Sequence, residues 1–216
     1  MSNIVYIGGR KGGSGKTTTA HLVCLGAILR GQPAAYILTD PHRSLKHEGR
    51  PYSVMDGRDV NTLAKIISSS HNIPNGWFVI DGGGNRPEFD RAIAAQADLT
   101  VLPFRNSAED TDSVKRDLDE MPLALAWPTA WPTNVFARNE AQTLMDDLLQ
   151  NYPGRVILSP VEFVNSSNEL LAHVLDNPST RLRSSARNAY LTMTDVYESR
   201  HATSKITVLR KSVSRT

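Results

Sequence analysis

The residues best arranged for chemistry stand in one run, Lys11-Gly12-Gly13-Ser14-Gly15-Lys16-Thr17-Thr18. Closely spaced glycines let backbone N–H groups turn inward around anionic oxygens, and the apolar stretch from Thr19 to Leu29 puts a helix N-terminus behind them. Lys16 supplies a mobile cation for the β and γ phosphates of a nucleoside triphosphate, and Thr17 supplies a hydroxyl ligand for magnesium. The run follows Ile4-Val5-Tyr6-Ile7. That strand–loop–helix setting separates a phosphate loop from an ordinary glycine-rich turn. Two carboxylates also close apolar runs. Asp40 follows Leu38-Thr39, and Asp81 follows Phe78-Val79-Ile80 and precedes Gly82-Gly83-Gly84-Asn85. An acid at a strand end can hold magnesium through water, and glycines behind it permit movement. Taken alone, Asp40-Pro41 reads as a turn.

These groups need a frame. Apolar runs at Ile4–Ile7, Ala34–Leu38, Trp77–Ile80, Leu99–Leu102, Leu123–Ala126 and Val156–Leu158 are separated by helix-length intervals. They are too continuous for half-exposed strands, so they predict an α/β fold: a mostly parallel central sheet with helices on both faces. Ligands in such sheets bind beyond the carboxyl ends of the strands. The polar segments Gly8–Lys16, Asp40–His42, Asp81–Asn85, Pro103–Arg105 and Pro160–Glu162 fall there. Residues 41 to 60 form the longest irregular connection, beside the nucleotide and mobile, unless Tyr52-Ser53-Val54-Met55 pairs as an edge strand. Trp127-Pro128-Thr129 and Trp131-Pro132-Thr133 shape one loop and define no repeat.

At 216 residues, with 40% hydrophobic and 21% charged, the chain can bury one ordinary core, which predicts a single domain over 1–216. No apolar run approaches the roughly 18 residues of a spanning helix, and the N-terminus lacks a signal-peptide pattern, so a cytoplasmic protein is expected. Cys24, the single cysteine, lies in an apolar helical stretch and reads as a buried small hydrophobe. Net charge is +2 but unevenly placed. From about 181 to 216, eight basic residues face only Asp195 and Glu198, a local +6 that leaves the remainder at −4. A basic tail on a slightly acidic body suits a polyanionic partner, nucleic acid or an anionic membrane, and equally a solvated charged helix. Leu182, Ala186, Ala189, Tyr190, Met193, Val196 and Tyr197 recur at helical spacing, predicting an inward stripe with Arg183 and Arg187 elsewhere on the surface.

The phosphate loop departs from the usual pattern: Arg10 stands where a glycine is expected, and Lys11 opens the loop. In this it resembles the deviant Walker A loop of the ParA/MinD ATPases, Lys-Gly-Gly-x-Gly-Lys-Thr-Thr. The resemblance implies a P-loop ATPase domain with ATP and Mg2+ as cofactors. It gives Lys11, Lys16 and Asp40 catalytic roles. It makes Lys11, Gly12, Gly13, Ser14, Gly15, Lys16, Thr17 and Thr18 the phosphate-binding set, and Thr17 and Asp81 the metal-binding residues. Lys11 would reach across a nucleotide-sandwich dimer, and a cation supplied in trans links dimerisation to phosphoryl transfer. Leu38-Thr39-Asp40-Pro41-His42 resembles the family's Asp-x-Asp-Pro-Gln, with Leu38 in place of the first acid and His42 in place of glutamine. The family resemblance places Pro160 and Glu162 beside the adenine. Without a preceding helix-turn-helix segment, the chain looks like short-form ParA. That implies an ATP-dependent homodimer on non-specific duplex DNA, nucleoid-associated and released by hydrolysis that a ParB-like or other cargo-bound protein stimulates. Arg181, Arg183, Arg187, Arg200, Lys205 and Arg210 are the DNA-binding candidates, through phosphate contacts. The alternatives are a MinD-like positioning ATPase on membrane or a protein assembly, a conjugative DNA-transfer accessory, or a nucleotide sensor without turnover. Membrane anchoring is not expected, because Ile206-Thr207-Val208-Leu209-Arg210-Lys211 offers little apolar area.

Overall fold

The computed structural model describes residues 2–84, 86–163 and 167–213, with the side chains of the last helix described as far as residue 202. Its elements run β1 (Asn3–Ile7), α1 (Lys16–Leu29), β2 (Ala34–Leu38), β3 (Ser53–Asp56), α2 (Val60–Ser70), β4 (Trp77–Asp81), α3 (Pro87–Gln96), β5 (Leu99–Phe104), α4 (Ala108–Glu120), β6 (Leu125–Pro128), α5 (Val135–Asn151), α6 (Ser167–Leu171) and α7 (Thr180–Val213). The six strands form one sheet in the order β3-β2-β4-β1-β5-β6, every pair parallel. Five-residue β2 and β4 are buried at every position, as their unbroken apolar sequences require when helices cover both faces.

One face carries α1, α6 and α7 over Val5, Ile7, Tyr36, Leu38, Val79 and Trp127. On the other face, Tyr6, Ile37 and Ile80 pack with Leu63 of α2 and Ile93 of α3. Leu102, Phe104 and Ala126 of that same face pack with residues of α4 and α5. The most extensive helix–helix packing is that of α1 on α7. A Cβ at Gly26 would fall 2.1 Å from the Ala186 carbonyl oxygen, so only glycine lets the two backbones come this near. Leu182, Ala186, Ala189, Tyr190 and Met193 are buried in this seam and Val196 and Tyr197 pack against it, the stripe that the spacing predicted.

Three local expectations are settled. Tyr52–Met55 does contribute an edge strand, β3, in register with β2. Val156–Leu158 is not a strand. It makes one isolated bridge, Ala126 to Val156, with Leu158 exposed, because the chain leaves the sheet edge after two hydrogen bonds with Ala126. The run from Leu123 joins the sheet only at Leu125, Leu123 being exposed. The connection before β3 is fastened. The buried Arg50 donates to the carbonyls of Leu170 and Ala172 at 2.8 and 3.0 Å, and Lys46 donates to that of Leu171. Cys24 is buried.

Candidate nucleotide site

Three parallel strands end together at one edge of the sheet. β1 runs into the glycine loop, β2 into Asp40, and β4 into Asp81, with Ile7, Leu38 and Asp81 in register across β1, β4 and β2. The loop leaves β1 with Gly8 N–H donating to the Val101 carbonyl and enters α1 through Gly15. Gly13 and Gly15 have φ of 79° and 104°, left-handed conformations that glycine takes without strain. The far side of the loop is pinned by Thr129, whose hydroxyl lies within hydrogen-bond distance of the Ser14 carbonyl at 2.9 Å and that of Phe104 at 3.1 Å.

Inside this loop Lys16 is buried, and its Nζ donates to the Lys11 carbonyl at 2.8 Å. Burial pulls its pKa down, while the carboxylates of Asp81, Asp117 and Asp90 work to keep it charged. The Gly82–Gly84 turn closes over it. Gly84 has φ of 74°, and a Cβ there would lie 2.8 Å from the Gly9 carbonyl and 3.2 Å from Lys16 Nζ. The turn therefore meets the phosphate loop backbone to backbone. Asn85, expected in this turn, lies outside the described residues.

Asp81 is fully buried, and its Oδ2 accepts a 2.6 Å hydrogen bond from the Tyr36 hydroxyl. Its Oδ1 is buried without a hydrogen-bond partner among the described residues. Burial pushes the Asp81 pKa up, against the hydroxyls of Tyr36 and Thr17 and the cations Arg43 and Lys16. A buried carboxylate oxygen without a donor, beside a threonine hydroxyl and a lysine, fits a water-bridged divalent cation, whose charge would satisfy it.

At the end of β2, Asp40 is half-buried in a turn. Its Oδ1 accepts from the His42 N–H at 2.9 Å and its Oδ2 from Arg43 Nε at 3.3 Å. The position two residues earlier, Leu38, is buried in the apolar core on the α1 face. The first acid of the family pattern therefore has no counterpart there, and Tyr36, two residues earlier on the same strand, reaches Asp81 instead. Beneath, His21 of α1 stacks on Tyr36 with centroids 4.0 Å apart, and its Nδ1 lies 2.9 Å from the Tyr52 hydroxyl. Burial lowers the His21 pKa to about 3, so it is neutral.

The Arg10 anomaly has a structural reason. Asp117 of α4 accepts both the Arg10 amide, at 3.0 Å, and its Nε, at 2.7 Å, and Glu120 takes the other end of the guanidinium. The side chain is clamped to α4, and its amide is tied as well. Lys11 pairs with Glu109 in the first turn of α4.

A cleft of about 280 Å³ is lined by Arg10, Gly12, Gly13, Gly15, Lys16, Thr17, Thr18, Asp40, Arg43, Gly82, Gly83, Arg105 and Leu171. Of the residues expected at this site, it brings together the glycine loop, Lys16, Thr17, Thr18 and Asp40, with Asp81 behind them. Glu162 lines a second, smaller cavity beside Gly15, Thr18 and Leu22. Pro160 does not reach it and lies in the neighbouring cleft against Arg181, Ser184 and Asn188 of α7. Tyr36, Arg43, Thr129 and Asp117 escaped sequence reasoning, whereas Arg105 closes a segment expected at this edge and does line the cleft. Arg43 alone left a signal, a cation three residues after a strand-end acid.

No protein-family model matches the chain. A ParA protein of Rhizobium radiobacter is 30% identical over 116 residues, half of each chain, so the match spans about half the length of that relative. In its fold and in its phosphate loop, the chain resembles the ParA/MinD-type P-loop proteins. The structure of apo McdA from Cyanothece superposes with a TM-score of 0.62 over 89% of this chain and all of that one, at 14% identity. The Pyrococcus furiosus cell division ATPase MinD superposes at 0.61 over 91% of this chain and all of that one, at 15% identity. The ParA/MinD-type fold thus carries a loop with two lysines, of which Lys16 is buried in the cleft and Lys11 is paired at its rim.

Of the basic α7 candidates, Arg181 and Arg187 are exposed. Arg183 donates to the Pro178 carbonyl and the Asn177 side chain. Arg200 donates to the Leu123 carbonyl, and burial lowers its pKa. The side chains of Lys205 and Arg210, and the Ile206–Lys211 segment with them, lie outside the described residues. Among the described residues, no helix is long and apolar enough to cross a membrane, and no cluster of histidine, cysteine or acidic side chains could hold a metal unaided.

Proposed function

We propose that this chain is a ParA-like ATPase, a DNA-partition switch whose two states are set by the nucleotide in the cleft at the sheet edge. The observation that carries the reading is Lys16, buried at the start of α1 against a left-handed glycine loop, with the orphaned Asp81 oxygen behind it. A triphosphate laid in that loop receives backbone N–H groups, the helix N-terminus and the Lys16 ammonium together. Thr17 and Asp81 are the residues that would hold Mg2+, which neutralises phosphate charge when bound. Asp40 stands across the cleft from the loop, where its carboxylate orients a water for in-line attack on the terminal phosphate.

Lys11 is the residue for a second copy. In the single chain its ammonium rests on the exposed Glu109, and such a surface pair contributes little. An ATP-bound sandwich dimer offers Lys11 the partner's phosphates in exchange. On the outer side, Arg181 and Arg187 are the described cations of α7 most available to DNA phosphates. A cargo-bound protein that speeds hydrolysis completes the cycle.

The test is binding of duplex DNA of unrelated sequence with ATP, ADP or no nucleotide. Binding that requires ATP, disappears in Lys11→Ala and Lys16→Ala, and persists in Asp40→Ala supports the switch. Replacing Arg181 and Arg187 by alanine should weaken binding at every sequence and flatten its logarithmic salt slope by about 0.9 for each DNA phosphate no longer neutralised. DNA binding that ignores the nucleotide, or none under any nucleotide, would refute the partition reading.

A further inference from the structure

We propose that Arg43 reads the terminal phosphate, leaving Asp40 for that phosphate and thereby coupling triphosphate occupancy to the freeing of the Asp40 carboxylate. The proposal rests on the nucleotide reading above and adds to it a residue that neither the motifs nor the resemblance singles out.

The geometry begins with the backbone. The chain turns at Asp40–Arg43, with the Arg43 N–H donating to the Asp40 carbonyl at 3.3 Å. The Arg43 carbonyl accepts from Arg58, whose own guanidinium is fixed on Asp56 and whose carbonyl in turn accepts from Arg86 at 3.1 Å. The main chain of Arg43 is held from behind. Its side chain, 49% exposed, lines the same cleft as Gly12, Gly13, Lys16 and Thr17. It stands close enough that its charge helps lower the Lys16 pKa and steadies the ionised Asp81.

The other cations of the cleft are differently committed. Arg10 is clamped on Asp117 and Glu120 of α4. Lys16 is buried on the Lys11 carbonyl. Arg105 sits where the cleft borders the second cavity. Arg43 differs from these in being paired with a carboxylate of the cleft itself, through a single Nε contact of 3.3 Å to an acid that also accepts the His42 amide. A one-point pair whose cation is half-exposed is weakly held. A terminal phosphate offers a guanidinium two parallel, charge-assisted bonds in a site that water leaves on binding. The exchange is therefore favoured when a γ-phosphate is present and not when the nucleotide ends at β. Once Arg43 has moved, Asp40 loses its neutralising cation and is free to hold a water.

The experiment measures equilibrium binding of a non-hydrolysable ATP analogue and of ADP, with Mg2+, to the whole chain. It is run at concentrations low enough to keep the protein monomeric, for the unaltered chain, Arg43→Gln, Arg43→Lys and Asp40→Asn. The expected result for Arg43→Gln is a loss of about tenfold in affinity for the triphosphate, the worth of one charge-assisted contact. ADP affinity should stay within about twofold, which also reports an intact fold. Arg43→Lys should recover part of the loss. Asp40→Asn should bind the triphosphate at least as tightly as the unaltered chain, because Arg43 no longer has a competing partner. Equal losses for both nucleotides, or no change for either, would overturn the assignment while leaving nucleotide binding standing. Failure of the unaltered chain to bind either nucleotide would overturn the nucleotide reading, and this inference with it.

Discussion

At the carboxyl edge of the sheet, one buried lysine, a threonine and Asp40 line a single cleft, with the buried Asp81 behind them. Along α7, four described arginines share one helix without converging: Arg181 and Arg187 are exposed, while Arg183 and Arg200 are bound to backbone carbonyls. A count of charges would rank α7 first. Burial and direction reverse that order, because a cation removed from water and aimed at a shared space is costly to keep unless something anionic comes to it. The helix instead does two jobs. Its inward stripe closes the core over α1, and part of its charge caps loop carbonyls.

The hardest way to break the contrast is to lift α7 off α1. Gly26→Ala places a methyl 2.1 Å from the Ala186 carbonyl oxygen, and the backbones must separate. We expect a loss of about 3 kcal/mol in denaturant unfolding, at the upper end for overpacking. An unchanged unfolding midpoint would show that the seam yields freely.

At the other region, Lys16→Ala should reduce ATP affinity about 100-fold, as expected for a buried charge-assisted phosphate contact. Arg181→Ala with Arg187→Ala should leave it unchanged. Calorimetric titration of both variants checks this. If the α7 pair alters ATP affinity as much as Lys16→Ala does, the two regions are one site and the comparison fails.

How far the sequence discloses each region follows from the range of the interactions. The phosphate loop is local: glycines, lysine and threonine act within eight consecutive residues, so spacing alone reveals them. The parallel sheet is legible for a similar reason, since its strands are continuous apolar runs. The Tyr36 bond to Asp81 spans 45 residues and the Arg10 clamp on Asp117 spans 107, and nothing in a linear reading brings those pairs together. Leu38 was visible as a missing acid, but not the tyrosine that contacts the remaining one. The strand proposed at Val156–Leu158 fails because an apolar run signals burial, and Val156 and Ile157 are buried through one bridge without extending the sheet. The basic tail was legible as charge, and its division into exposed and carbonyl-bound arginines was not.

Protonation separates the two regions as well. The folded pKa of His21 is about 3 against an ordinary 6.5, so the unfolded chain takes up its proton first as pH falls. This contribution to stability is complete above about pH 6.5 and is lost progressively toward pH 3, amounting to about 2 kcal/mol at pH 5. Unfolding titrations at pH 7.5 and 5.0 should show that loss in the unaltered chain and a correspondingly smaller one in His21→Gln. Guanidinium groups do not titrate in this window, so Arg187→Met should keep the full pH response. Equal pH responses for the unaltered chain and His21→Gln would mean that His21 is not held neutral beneath Tyr36.

The finest division is within α7 itself. Arg200 is half-buried and donates to the Leu123 carbonyl, whereas Arg187 is exposed, about four turns earlier along the helix. Arg200→Met keeps much of the apolar stem but withdraws the donor, and should cost about 1 kcal/mol of stability, the net worth of a hydrogen bond. Arg187→Met should change stability by less than about 0.5 kcal/mol, as surface substitutions do, and its effect should appear in DNA binding. If Arg200→Met leaves stability unchanged and weakens DNA binding as much as Arg187→Met, the two arginines serve one electrostatic face, and carbonyl capping is not what holds Arg200.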